Sequence, residues 1–478
     1  MTLQQLKHSL HNPVDISFLV VFRIAFGVVM LWDIVRYWSY DWISSFYIEP
    51  EFLFKYYGFE WIQPWPGDGM YIHFVILGLL ATFITIGFLY RVSIVLFFLG
   101  FSYVFLLDQA RYLNHFYLVI LFNFLLIFLP AHKSFSIDAL IWPDKKSDKV
   151  PLWNLWILRF QMEVLYIFAG IVKINSDWLQ LEPLRMWLSY RHDMPIVGSL
   201  YTQDWAVAVA AYGIIILHVI GAPLLLWKRT RLAVFLTYAC FHTLNHFTFT
   251  IGIFPWLTLA ATLVFFDPDW PKQLKARLLN LIHHGKETIK SQVDGDHPTT
   301  TQTNENHFSI SEWNRNLVFS FCIVWAMFQI LVPLRHLLYP GNVSWTEEGH
   351  RFSWQMKLRD KKGFADFEIV NRETGESWYV SPEDYLVRKQ VRKMPTQPDM
   401  ILQFAYYLEE LWIKKYNLKD VEIRVNNYVS LNGREPAPMV NPSLDLTKIE
   451  RNLSHADWIL PLHEPLRREN RTRENRLN

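Results

Sequence analysis

Several polar side chains stand inside or at the edge of long apolar runs, where a solvated surface does not account for them. In QMEVLYIFAGIVKINSDW, residues 161–178, Glu163 falls within an apolar run and Lys173 at its end. An unbroken helix rises about 1.5 Å per residue, so the two stand roughly 15 Å apart, too far for a direct pair. Lys173 either snorkels to the outer interface or acts as a base; the second role needs desolvation, which destabilises the ammonium and supplies a neutral amine. RYLNHFYLV, residues 111–119, places Asn114 and His115 where a loop enters another apolar run. FHTLNHFTFTIG adds His242, Asn245 and His246, with hydroxyls from Thr243, Thr248 and Thr250. His242 and His246 share a helix face by their four-residue spacing. Satisfaction inside a bundle is the commoner state of such a pair, a zincin would need a glutamate between them, and no metal is expected.

These groups need a scaffold, and composition says which. The chain has 478 residues, of which 51% are hydrophobic and only 19% charged, although its last third is visibly polar; the apolar residues are therefore concentrated upstream. Runs long enough for about 30 Å of hydrocarbon occur at 16–35, 73–90, 92–108, 114–130, 155–172, 204–227, 231–249, 250–266 and 315–333. They predict a polytopic α-helical membrane protein of about nine spans. Pro255 and the polar residues of 231–266 predict a broken helix lining an interior. The first run lacks a small-residue cleavage site and reads as a retained span. Cys240 and Cys322 lie in apolar segments and read as buried free thiols, with a helix-to-helix disulfide as the alternative.

Lys7, Arg91, the 133–149 segment, Lys228, Arg229, Arg231 and the basic stretch 271–290 fall on one face of the nine-span arrangement. The positive-inside rule makes that face cytoplasmic, which puts Asn114, His115, Lys173 and His242 in the opposite half. Lys plus Arg (46) nearly balance Asp plus Glu (44) with no long basic run, which argues against a nucleic-acid partner.

The expected organisation is a helical membrane domain over 1–290, a polar linker over 291–310, a further span within 311–339, an extracytoplasmic strand-rich α+β domain over 340–460 and a charged, disordered tail over 461–478. FSWQMKLRD, FADFEIVNRETGESWYV and VEIRVNNYVSLNG alternate as half-buried strands do, with ETGE and LNGR as turns, and ILQFAYYLEELWIKKY reads as an amphipathic helix. Residues 177–192 have the mixed face of an interfacial helix. The aromatic loop 36–72 reads first as a headgroup anchor and alternatively as a cover over the site; with the C-terminal domain it is expected to form a peptide-facing surface.

At these residues the chain resembles the vitamin K-dependent gamma-carboxylase family, as a bacterial-type homologue. The resemblance is carried by VFRIAFGVVMLWDI, YLNHFYLV with FLPAHKSFSIDA, VPLWNLWILRFQ, AGIVKINSDW and CFHTLNHFTFTIGIF with DPDWP, then WTEEGHRFSWQMKLRD, TGESWYV and YVSLNGR, in consistent order along most of the chain. It implies an enzyme that oxygenates vitamin K hydroquinone to its epoxide and couples this to γ-carboxylation of glutamate in a protein or peptide, with oxygen and carbon dioxide as co-substrates. It also implies Lys173 as hydroquinone base, and catalytic and quinol-binding roles for Asn114, His115 and His242. The family's frequent paired lysine is absent, since Val172 precedes Lys173, and these two cysteines do not reproduce the extramembrane disulfide of vertebrate members.

The partners so implied are the glutamate-containing acceptor, the quinol and membrane lipid. The location so implied is a bacterial inner membrane with a periplasmic C-terminal domain. Two other functions are compatible with the same residues: an epoxidase without productive carboxylation, and a non-enzymatic quinone- or lipid-binding membrane protein.

Overall fold

The computed structural model of the chain describes residues 2–284 and 312–466. Each of the nine apolar runs is helical. Among the described residues five helices are long and apolar enough to cross a membrane: Ser17–Ser39, Gly69–Ile86, Tyr90–Leu107, Asp204–Leu224 and Glu312–Leu338. Asn114–Phe128 and Phe254–Phe265 are apolar but shorter. Trp153–Ile171 and Arg231–Phe249 carry polar residues within the helix, which a bundle interior accepts and lipid does not. Arg159 illustrates the means. Its Nε donates to Val264 O at 2.9 Å and its Nη2 to Phe265 O and Phe266 O at 3.1 and 3.0 Å, filling carbonyls left open at the end of the neighbouring helix.

The break expected within 231–266 follows Phe249. Thr250 (φ 49°) and Gly252 (φ 66°) turn the chain through the left-handed region. Pro255 then sits in the first turn of the next helix, where its missing N–H leaves no bond unmade.

The C-terminal domain is an antiparallel sheet with strands in the order Ser377–Val380, Lys361–Asn371, Val421–Leu431 and Ala437–Pro438. The central pair runs in register from Lys361 opposite Leu431 to Asn371 opposite Val421. Val421, Ile423, Val425, Val429 and Leu431 alternate inward against helix Pro398–Tyr416, which buries Ile401, Phe404, Leu408 and Trp412. Period-two burial facing a helical stripe is the pattern expected of an α+β core.

Four expectations need correction. Residues 352–360 are not a strand but an irregular loop, because their apolar side chains pack into the helical bundle instead of onto the sheet. The 177–192 segment is two short helices, Ser176–Leu179 and Leu184–Ser189, interrupted where Leu181 takes φ 70° before Pro183. Both cysteines are free, but Cys240 is exposed and Cys322, packed at the margin of the helical core, is only partly covered. The aromatic loop does more than anchor. Phe54 belongs to the core of the C-terminal domain, and Lys55 exchanges backbone bonds with the Gln403 side chain at 2.8 and 3.1 Å. The linker 291–310 and residues 467–478 of the expected tail lie outside the described residues.

Candidate active site

Lys173 lies two residues beyond helix Trp153–Ile171, in a turn whose own N–H reaches Gly170 O at 3.0 Å. Its side chain is 5% exposed. Nζ donates to Ala169 O at 2.9 Å and to Met356 O at 3.0 Å, and it stands 5.1 Å from the Trp178 ring centroid. The head group therefore points into protein, which excludes snorkelling. Burial, with no carboxylate contributing, pushes the Lys173 ammonium down to about 7.

Met356 comes from the C-terminal domain. The carbonyl of its neighbour Gln355 accepts from Asn114 Nδ2 at 3.4 Å, so consecutive carbonyls of one loop hold Lys173 and Asn114. Tyr112 reinforces the contact, its hydroxyl donating to Asn114 Oδ1 at 3.0 Å and accepting from the Phe352 N–H at 2.8 Å. Three non-glycine residues of this loop, Phe352, Trp354 and Lys357, adopt φ of 62°, 54° and 48°. Conformations of that kind persist only where surrounding packing holds them, and they concentrate at functional sites. Trp354 is fully buried, with its ring 5.0 Å from that of Tyr117. Among the described residues the Trp354 indole N–H has no hydrogen-bond partner, a costly state for a buried polar atom unless a ligand or water fills it, while the Tyr117 hydroxyl has the Gln329 side chain beside it.

His115 continues the helix from Asn114, its ring 6.1 Å from Phe254, and Phe254 lies 5.9 Å from His242. One phenylalanine thus links the two histidines. His242 is 2% exposed and its Nε2 is 3.4 Å from Thr258 Oγ1. His246, one turn on, packs against Trp256 at 5.3 Å. Glu163 has both carboxylate oxygens buried without a hydrogen-bond partner among the described residues, remote from Lys173 as its position in the helix requires.

His218 completes this set and escaped the sequence reading. Helix Asp204–Leu224 widens into a π turn at Leu217–Gly221, a distortion frequent at functional sites. There His218 packs against the helix end that holds Lys173 and lies within electrostatic range of Lys173 and His242. Its Nδ1 is 2.8 Å from Ile214 O, which assigns the N–H to Nδ1 and leaves the lone pair on Nε2. A lone histidine in GIIILHVIGAP was the only signal, and periodicity does not distinguish it from a structural one.

Gly170 makes this approach possible. A Cβ there would lie 2.7 Å from Val219 Cγ2 and 2.8 Å from His218 Cβ. Gly170→Ala is expected to push the π turn away and to destabilise the protein by about 1–3 kcal/mol, as overpacking does. Thermal unfolding of the detergent-solubilised variant checks this; an unchanged melting temperature refutes the close packing.

Residues 11–270, more than half of the chain, match the family model of the HTTM domain. Residues 314–465 match the model described as vitamin K-dependent gamma-carboxylase, lumenal domain. No solved structure matches the chain.

Proposed function

The chain belongs to the vitamin K-dependent gamma-carboxylase family, and on that basis we propose that it is a membrane carboxylase coupling oxygenation of vitamin K hydroquinone to its epoxide with γ-carboxylation of protein-bound glutamate. The observation that carries this reading is Lys173. An amine buried without a counter-ion among the described residues, where a helix of the bundle meets the C-terminal domain, has the protonation behaviour of a base operating near neutral pH.

The side chains around Lys173 suit a reduced quinone. Trp354, Tyr117 and Phe352 offer aromatic surface, and the open indole N–H offers a bond to a ring oxygen, with the Tyr117 hydroxyl beside it. Asn114, His115 and His242 are the further residues proposed to hold it. When bound, the hydroquinone with oxygen supplies the base that removes the glutamate γ proton, which a lysine amine is too weak to do.

The protein's part is to move one proton and exclude water. Lys173 Nζ takes the hydroxyl proton, and the Ala169 and Met356 carbonyls orient the lone pair beforehand and stabilise the ammonium afterwards. Asn114 and His115 donate toward developing negative oxygen. The 352–357 loop keeps water from the glutamate carbanion until carbon dioxide traps it. In this reading the C-terminal domain is extracytoplasmic, facing the periplasm of a bacterial cell.

The test is purified protein in lipid nanodiscs with hydroquinone, oxygen, carbon dioxide and a glutamate peptide. Epoxide, read by chromatography, and carboxylated peptide, read by mass, are expected together. No epoxide above the protein-free blank rejects the proposal. Epoxide without carboxylation of a validated acceptor leaves the epoxidase alternative in its place.

A further inference from the structure

The proposed carboxylase needs a place for the acceptor glutamate, and the groups described so far are aromatic, amide or basic and line the quinol side. A separate cavity of about 850 Å³ opens between the aromatic loop, the segment before Asn114 and the C-terminal domain. Trp42 and Phe46 of the loop form one wall, Gly363–Asp366 of the sheet another, and Arg111 and Lys389 stand between them.

Arg111 and Lys389 are unusual in their lack of partners. Arg111 is 7% exposed, and among the described residues its Nε and Nη1 have no hydrogen-bond acceptor. Its ion pair is a loose one, 3.7 Å to Asp108 Oδ2, and that carboxylate already accepts from the Ala110 N–H and from Gln390. Lys389 is partly buried and forms neither a hydrogen bond nor a salt bridge among the described residues. Both cations rest on one ring, Arg111 at 3.7 Å and Lys389 at 5.1 Å from the Phe46 centroid. Burial and the neighbouring Arg111 charge push the Lys389 ammonium down to about 8. A buried and a partly buried cation that share a ring and lack a well-placed carboxylate among the described residues form a site that a ligand carboxylate completes.

The surroundings narrow the ligand further. The rim carries both signs, with Glu49, Asp366 and Glu383 against Arg388 and Arg392, so it does not select a densely anionic molecule. Strand Ser377–Val380 pairs only with Phe367–Val370 of its neighbour, which leaves Lys361–Asp366 without a strand on that side among the described residues. An open strand edge beside a specific pocket is how sheets bind extended peptides. The cavity also adjoins the reacting groups: Arg111 stands three residues before Asn114, and Lys389 lies within electrostatic range of His115.

We propose that this cavity is the acceptor site: an extended peptide lies along the Lys361–Asp366 edge and delivers one glutamyl carboxylate to Arg111 and Lys389, its γ carbon directed toward His115. The proposal rests on the carboxylase reading for its substrate, but binding tests it without turnover.

The probe is a labelled peptide with a single central glutamate in a neutral sequence, compared with its glutamine counterpart. Binding to the full chain in nanodiscs is measured without hydroquinone. The wild-type protein is expected to prefer the glutamate peptide by roughly ten-fold or more, the factor of a charge-assisted bond pair. Lys389→Met and Arg111→Met are each expected to erase most of that preference, Lys389→Arg to retain it, and Lys389→Glu to reverse it. If Arg111→Met does not fold, the partly exposed Lys389 series decides alone.

A preference unchanged in Lys389→Met and Lys389→Glu overturns the site. Carboxylation by a protein whose glutamate preference ignores these substitutions would leave the enzyme reading standing and this pocket rejected. Preferential binding that depends on Lys389, without carboxylation, would keep the pocket and reject the enzyme reading.

Discussion

Lys173→Ala is expected to lower quinol oxidation by about 10²–10⁴-fold, the usual contribution of a general base, while the protein remains folded. The folded state should survive because the side chain contributes two bonds to carbonyls and no ion pair. Lys173→Arg should not rescue activity, since a guanidinium stays protonated at any working pH. The pH dependence has a definite sign. The neutral amine is the active form, and burial has moved its titration from the ordinary lysine range to about 7. Turnover should therefore rise as pH increases through neutrality and fall in acid, as a single ionisation in kcat/KM. A folded Lys173→Ala protein that keeps wild-type epoxide formation across that range removes Lys173 from the base role.

The second large effect is expected four residues further on. Asp177 is 4% exposed and receives both ends of the Arg434 guanidinium at 2.7 Å, with Asn432 Nδ2 also at 2.7 Å. Arg434 and Asn432 belong to the LNGR turn, so this bidentate pair fastens the C-terminal domain to the segment that carries Lys173. Asn432 and Gly433 take φ of 53° and 76°, and that left-handed corner aims both donors at one carboxylate. Arg434→Ala would leave a buried carboxylate without its cation, a defect worth about 3–5 kcal/mol.

Burial alone would raise the Asp177 carboxyl, but the Arg434 and Asn432 bonds outweigh it and hold the group below its ordinary value. A carboxylate lowered in the folded state contributes stability above the unfolded value of about 3.8, lost as pH falls through the lowered folded value. The deficit of Arg434→Ala should therefore be full near neutral pH and shrink in strong acid. Unfolding of the full chain in detergent across pH measures this. A variant as stable as wild type near neutrality refutes the clamp, and retained stability with lost carboxylation assigns Arg434 to positioning alone.

Local rules, and the fold class that follows from them, were open to inspection in the linear chain. Nine apolar runs are helices because bundle and lipid both demand internally bonded backbone. FADFEIVN and VEIRVNNYVSL are paired strands because their period-two pattern has one face to bury, and ETGE and LNGR turn where glycine admits positive φ. Lys173 was visible as a cation at the end of an apolar run, and Asn114, His115 and His242 as polar residues that lipid would not tolerate.

Tertiary packing alone decided what those residues are near. The FSWQMKL alternation looks like a strand, yet its apolar side chains bury against bundle helices, so the segment becomes the strained loop whose Gln355 and Met356 carbonyls hold Asn114 and Lys173. His218 became significant only through a π turn opposite Gly170, and the cations Arg111 and Lys389 only through a shared Phe46 ring. Periodicity records which face of an element is apolar; it carries no information on which element, 180 residues away, will cover that face.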